Sequence, residues 1–104
     1  MKRLRIVYTL NPGIDEREAM EQLRKTQEDL PEGASLWVYR RSDPIMEREL
    51  RWVPFGDLVQ IIDFETAAQA DAFPDSEAQK SQNRRTRRFF SNIASFTCPL
   101  VEQP

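Results

Sequence analysis

The stretch 58–64, Leu-Val-Gln-Ile-Ile-Asp-Phe, constrains this chain more than any other segment. Apolar side chains fall on both of its faces, as in a central strand covered on both sides. A fold built around it needs neighbouring strands on either edge and apolar material above and below. The rest of the sequence can be read for what supplies them.

Residues 3–10 alternate in the same way, with Leu4, Ile6, Tyr8 and Leu10 on one face and Arg5, Val7 and Thr9 on the other. Asn11-Pro12-Gly13 ends that strand. Asp15 sits at an N-cap position with Glu18 at capping-box spacing, and Ala19, Met20, Leu23, Gln27 and Leu30 follow at helical intervals. Pro31 and Gly33 close this helix. A second strand spans 35–41, with Leu36 and Val38 alternating against Trp37 and Tyr39. The charged stretch 45–54 is compatible with an irregular connection, a short edge strand or one helical turn.

After the central strand, Thr66 and Gln69 form another capping pair that opens a short helix through Phe73, and Pro74 interrupts it. Asp75 or Ser76 then caps a longer helix to about Asn92, with Ala78, Gln82, Arg85 or Thr86, Phe89 and Ile93 inward. A last strand spans 95–101, demoted to an edge by Pro99. The order is β-α-β-β-α-β over one domain, 1–104, a length that fits a single core. The fold class is α+β: a ferredoxin-like, four-stranded antiparallel sheet with its helices on one face. The two β-α-β halves suggest that the first and third strands are central and parallel to each other. With helices on one side only, the apolar second face needs a cover, and a second copy of the same sheet is the simplest one.

Composition removes several classes of function. The sequence contains no histidine, which excludes Ser-His-Asp and Cys-His catalysis and histidine-ligated haem or zinc within the chain. Fifteen basic and 17 acidic residues leave a net charge of −2, against a dedicated nucleic-acid binder. Cys98 is the only cysteine, so no internal disulfide implies an oxidising compartment. The apolar run 6–10 is too short for a signal segment or a membrane span. The expected setting is the cytoplasm, with no membrane, nucleic-acid or cofactor partner.

The order of elements, and the stretch Gly56-Asp57-Leu58-Val59-Gln60-Ile61-Ile62-Asp63-Phe64-Glu65-Thr66 followed by Ala67, Ala68, Ala70 and Ala72, resemble the dimeric α+β barrel superfamily. That superfamily includes the antibiotic-biosynthesis monooxygenase-like proteins. The resemblance implies a homodimer whose sheets pack face to face, with a pocket between each sheet and its own helices. Members include cofactor-free oxygenases of aromatic polyketides, haem-degrading enzymes that use a histidine ligand this chain lacks, cyclases and decarboxylases. On that basis the expected function is a cofactor-independent, oxygenase-like enzyme for a small aromatic or polyketide-like molecule. The alternative is a non-catalytic small-molecule-binding, regulatory or structural dimer.

Tyr8, Trp37, Tyr39, Trp52 and Asn83 are the candidate pocket residues, because phenol, indole and amide donors can hold a substrate anion. Trp37 and Tyr39 serve equally as dimer-interface filling. Arg84, Arg87 and Arg88, with Arg85 between them, are the candidate anion-binding residues, since guanidinium grips carboxylate or phosphate bidentately. Their plainer role is a solvated face pairing with Glu16, Glu18, Glu21 or Glu28. Asp63 and Glu65 share a strand face, where a helix-capping role competes with that of a carboxylate pair. No cluster of metal ligands is evident.

Overall fold

The computed structural model describes residues 1–51 and 53–96. Four strands, β1 (Lys2–Leu10), β2 (Ser35–Arg40), β3 (Leu58–Phe64) and β4 (Phe90–Phe96), form one sheet in the order β2-β3-β1-β4. The helices are α1 (Glu16–Arg24), α2 (Met46–Glu49), α3 (Ala67–Ala72) and α4 (Glu77–Arg85). A 3₁₀ segment, Lys25–Asp29, continues α1, and another, Phe73–Asp75, joins α3 to α4.

The caps are those expected from the sequence. Asp15 accepts from the Arg17 amide, Thr66 Oγ1 from the Gln69 amide and Ser76 Oγ from the Gln79 amide. The α1 segment departs from its expected pattern in its last turns. It tightens to 3₁₀ after Arg24, so Thr26 turns inward, while Gln27 is exposed and bonds the backbone of Ala34 and Leu36.

The central strands β1 and β3 run antiparallel, not parallel as the two halves suggest, with Leu4 opposite Ile62 and Val7 opposite Val59. The reason is connectivity. The β2–β3 connection reverses the chain, and β3 inserts between β1 and β2 with its direction opposed to both. β4 is also antiparallel to β1, with a register shift between Thr9 and Leu10. The C-terminal part of the expected long helix is in fact strand: α4 stops at Arg85, and β4 begins at Phe90 rather than at 95. Positions 97–101 of the expected strand, Cys98 among them, lie outside the described residues.

The sheet has two unlike faces. Leu4, Ile6, Tyr8, Leu58, Ile62 and Phe64 face α1, α3 and α4, where Ala19, Leu23, Ala70, Phe73 and Phe89 complete the main core. On the opposite face Val7, Val59 and Ile61 pack against Met46, Leu50 and Val53 of the β2–β3 connection. The chain therefore covers part of its own second face with the one helical turn of α2, so a second copy is not needed to cover the whole of it. Burying three such side chains contributes about 1.5–3 kcal/mol each, which is what seats α2.

The connection returns to the sheet through Gly56. Its φ of +102° is left-handed, and a Cβ there would lie 2.1 Å from Val7 Cγ1. Asp57 then fastens the return: its amide donates to the Tyr8 carbonyl at 2.7 Å, and its carboxylate accepts from the Leu10 amide at 2.9 Å. Arg41 closes the other end of the connection by donating to the carbonyls of Val53 and Phe55.

Candidate functional site

The space between sheet and helices, where a pocket is expected, is occupied by a hydrogen-bonded cluster centred on Tyr8. β1 carries Tyr8, β3 carries Gln60 and α4 carries Gln82, and all three are fully buried. The Tyr8 hydroxyl donates to Gln60 Oε1 at 2.7 Å and accepts from Gln82 Nε2 at 2.6 Å. Gln60 Nε2 donates to Gln82 Oε1 at 2.7 Å and to the Leu23 carbonyl at 3.0 Å. Thr26 Oγ1 also donates to Gln82 Oε1, at 2.5 Å. Outward from Thr26, Arg85 Nη2 donates to Thr26 Oγ1 at 3.1 Å and to the Gln22 carbonyl at 3.0 Å.

Every one of these amide and hydroxyl groups has a partner, so the cluster locks α1 and α4 to the sheet without an unpaired polar atom. Burial pushes the Tyr8 phenol above its ordinary range, because a phenolate there would lose its hydration. Tyr8 thus stays a neutral donor at physiological pH and is no proton acceptor for a substrate. The ring of Phe90 covers Tyr8 with centroids 4.6 Å apart.

The other candidates do not converge on Tyr8. Trp37 and Tyr39 lie opposite Ile61 and Val59, which pair in turn with Arg5 and Val7 across β1. They therefore stand on the second face, the far side of the sheet from Tyr8. There Arg3, Trp37, Tyr39, Ile45, Met46, Glu49 and Ile61 line a recess of about 290 Å³ between α2 and β2. Asn83 is on the helix side, exposed on α4, and accepts from Gln79 Nε2 at 2.8 Å. It lies between two shallow recesses, one of about 220 Å³ with Ile6, Pro74, Gln79, Ile93 and Ser95 and one of about 260 Å³ that also holds Arg84 and Arg87. Trp52 lies outside the described residues.

Of the arginine cluster, Arg84 and Arg87 line one recess of about 260 Å³ with Asn83, Thr86, Phe90 and Ile93, whereas Arg85 and Arg88 are not part of that lining. Arg84 pairs with Glu77 of its own helix at 3.0 Å, and Arg88 reaches Glu18 of α1 at 4.0 Å and lies over the Phe89 ring. Because α4 ends at Arg85, Arg87 and Arg88 are in the turn before β4 and do not extend a helical stripe with Arg84. Arg85 points inward to Gln22 and Thr26. A recess of about 650 Å³ is an open bowl along the β2–β3 connection lined by charges of both signs, Arg41, Asp43, Glu47, Arg48 and Arg51.

Asp63 does not cap α3, whose N-cap is Thr66. It receives two hydrogen bonds from Arg3, at 2.7 and 3.0 Å, straight across the β1–β3 pairing. Arg3 also reaches Glu49 at 3.2 Å, and Asp63 first among its neighbours raises its pKa above the ordinary arginine value. Glu49 and Asp63 thus share Arg3 in an ion-pair network on the second face.

The feature missed in the sequence is the pair of buried glutamines. Gln60 interrupts an otherwise apolar strand and Gln82 falls on the inward stripe of α4, and two amides on facing apolar surfaces are a signal for an internal hydrogen-bonded cluster.

No protein-family model matches the chain, and no curated sequence is similar to it. Solved structures are similar in fold. A dimeric protein of unknown function and ferredoxin-like fold from Bacteroides fragilis aligns over 92% of this chain and 94% of its own, at 10% identity and a TM-score of 0.59. A dimeric ferredoxin-like protein of unknown function from Thermobifida fusca aligns over 94% and 89%, at 11% identity and a TM-score of 0.60. A dabb family protein with a ferredoxin-like fold from Mesorhizobium loti aligns over 90% of each chain, at 14% identity and a TM-score of 0.56. With its antiparallel β2-β3-β1-β4 sheet and its helical layer on one face, this chain has a ferredoxin-like α+β fold.

Proposed function

We propose that this chain works as a homodimer that joins through the second sheet face and binds a small molecule without converting it. One observation carries the dimer. Trp37, 41% exposed, and Ile45, 60% exposed, line the same recess on the face away from α1, α3 and α4. Large apolar side chains grouped in this way mark an interface. The dimeric state of the Bacteroides fragilis and Thermobifida fusca proteins supports the same reading. Membership of the dimeric α+β barrel superfamily accords with the fold of the dabb family protein. The cytoplasm is its working compartment in this reading, consistent with a single cysteine and with no helix long and apolar enough to cross a membrane among the described residues.

The filled interior argues for binding over catalysis. An oxygenase-like reaction on an aromatic or polyketide-like substrate would need an open space beside Tyr8 and a group to take a proton. That space holds Gln60 and Gln82, hydrogen-bonded to Tyr8 and to each other.

Sedimentation velocity at micromolar concentration tests the dimer. The wild-type chain sediments as a dimer and Trp37→Glu as a folded monomer. A monomeric wild type, or a Trp37→Glu variant that stays dimeric, would remove this interface.

A further inference from the structure

A second recess, away from both the Tyr8 cluster and the α2 face, has the composition of a ligand site. It holds about 320 Å³, at the lower end of the range for small-molecule sites, where the end of β3 meets the 3₁₀ turn after α1 and the α3–α4 junction. Its walls are apolar: Phe64 and Phe73, tilted against each other with centroids 5.5 Å apart, together with Pro31 and Ala78.

Its polar lining is an amide, Gln69, a hydroxyl, Ser76, and two carboxylates, Asp29 and Glu77. Gln69 lines the recess, and its Oε1 is buried with no hydrogen-bond partner among the described residues. A buried acceptor left unpaired costs free energy, which a donor from a ligand would recover. Asp29 and Glu77 stand at the exposed rim. Glu77 is held by Arg84, whereas Asp29 forms no ion pair among the described residues. Apolar aromatic walls, a buried acceptor and, at the mouth, a carboxylate with no ion pair among the described residues suit an apolar body that ends in a positively charged donor.

The geometry points to this recess as a binding site for a small arylalkyl amine, with the ring against Phe64 and Phe73 and the ammonium group between Gln69 and Asp29. The site rests on the binding reading given above and adds the place and the class of ligand to it.

Calorimetric titration of the full-length chain with 2-phenylethylamine, 2-phenylethanol and 3-phenylpropionate tests it. The amine binds about tenfold more tightly than the alcohol, a difference of about 1.4 kcal/mol, and the carboxylate binds least. Asp29→Asn removes the preference for the amine but keeps the weak binding of the alcohol. Ala72→Trp, at an exposed rim position, abolishes binding of both. Equal binding of amine and carboxylate, no binding of any probe, or binding unaltered by Ala72→Trp would overturn the site. Oxygen uptake or product formation during the titration would overturn the non-catalytic reading alone, and sedimentation of the same samples reports the dimer separately.

Discussion

Arg5 Nε lies 2.6 Å from Glu49 Oε1, and this ion pair joins the helical turn of the β2–β3 connection to the central strand β1. Arg5 is only 7% exposed, so its charge relies on that carboxylate. Glu49→Gln keeps a neutral acceptor but strands the guanidinium on a covered face. The expected cost is about 1–3 kcal/mol, read as a lower urea midpoint with an unchanged slope. Arg5→Met, which removes the charge and keeps the apolar stem, should cost less than Glu49→Gln.

Tyr8→Phe takes one hydroxyl from the centre of the buried cluster and leaves Gln60 Oε1 without its Tyr8 donor and Gln82 Nε2 without its acceptor. A loss of about 1–3 kcal/mol is expected in chemical denaturation, with the far-ultraviolet circular dichroism retained.

The same residue sets an alkaline limit. Burial raises the phenol pKa in the folded state, while in the unfolded chain it ionises near pH 10. Above that pH the unfolded state has released the Tyr8 proton and the folded state has kept it. The contribution to stability is therefore complete below pH 10 and falls as pH rises, by about 1.4 kcal/mol per unit until the folded-state pKa is reached. Denaturation curves for wild type and Tyr8→Phe, measured between pH 9 and pH 11, should converge as pH rises. Curves that stay parallel would mean that Tyr8 ionises freely in the folded state.

Gly56→Ala places a methyl group against Val7 Cγ1 and forces a left-handed backbone on a residue with a Cβ. Strain of this kind costs on the order of 1–3 kcal/mol before the clash is counted. Gly13→Ala is the comparison: φ is also positive there, but no atom lies within 4 Å of the added carbon, so Gly56→Ala should show the larger fall in thermal midpoint.

Much of this architecture is legible in the sequence. The Leu58–Phe64 strand, the alternation in β1, the caps at Asp15, Thr66 and Ser76 and the one helical turn among the options for 45–54 rest on local chemistry that the fold does not override. The stretch 86–94 departs from the sequence expectation because Phe89 and Ile93 are four apart, a helical spacing, and a short apolar run cannot separate helix from strand by period alone. Pairing with β1, through the register shift at Thr9/Leu10, decides in favour of strand. Grouping Tyr8 with Trp37 and Tyr39 in one pocket could not hold, because cross-strand register sets which residues share a face, and that register follows from long-range pairing. Gln60 and Gln82 are 22 positions apart, and nothing local says that they meet.

The closed triangle of Tyr8, Gln60 and Gln82 also bears on how the sequence can drift. Phenylalanine and two leucines at these positions would make an ordinary apolar core of similar volume, and the present set makes a satisfied polar one. Each path of single replacements between them passes through a protein with a stranded amide or hydroxyl. Related sequences are therefore expected to carry the three residues together or to lack all three, so that these positions vary as a unit while the apolar residues around them vary independently.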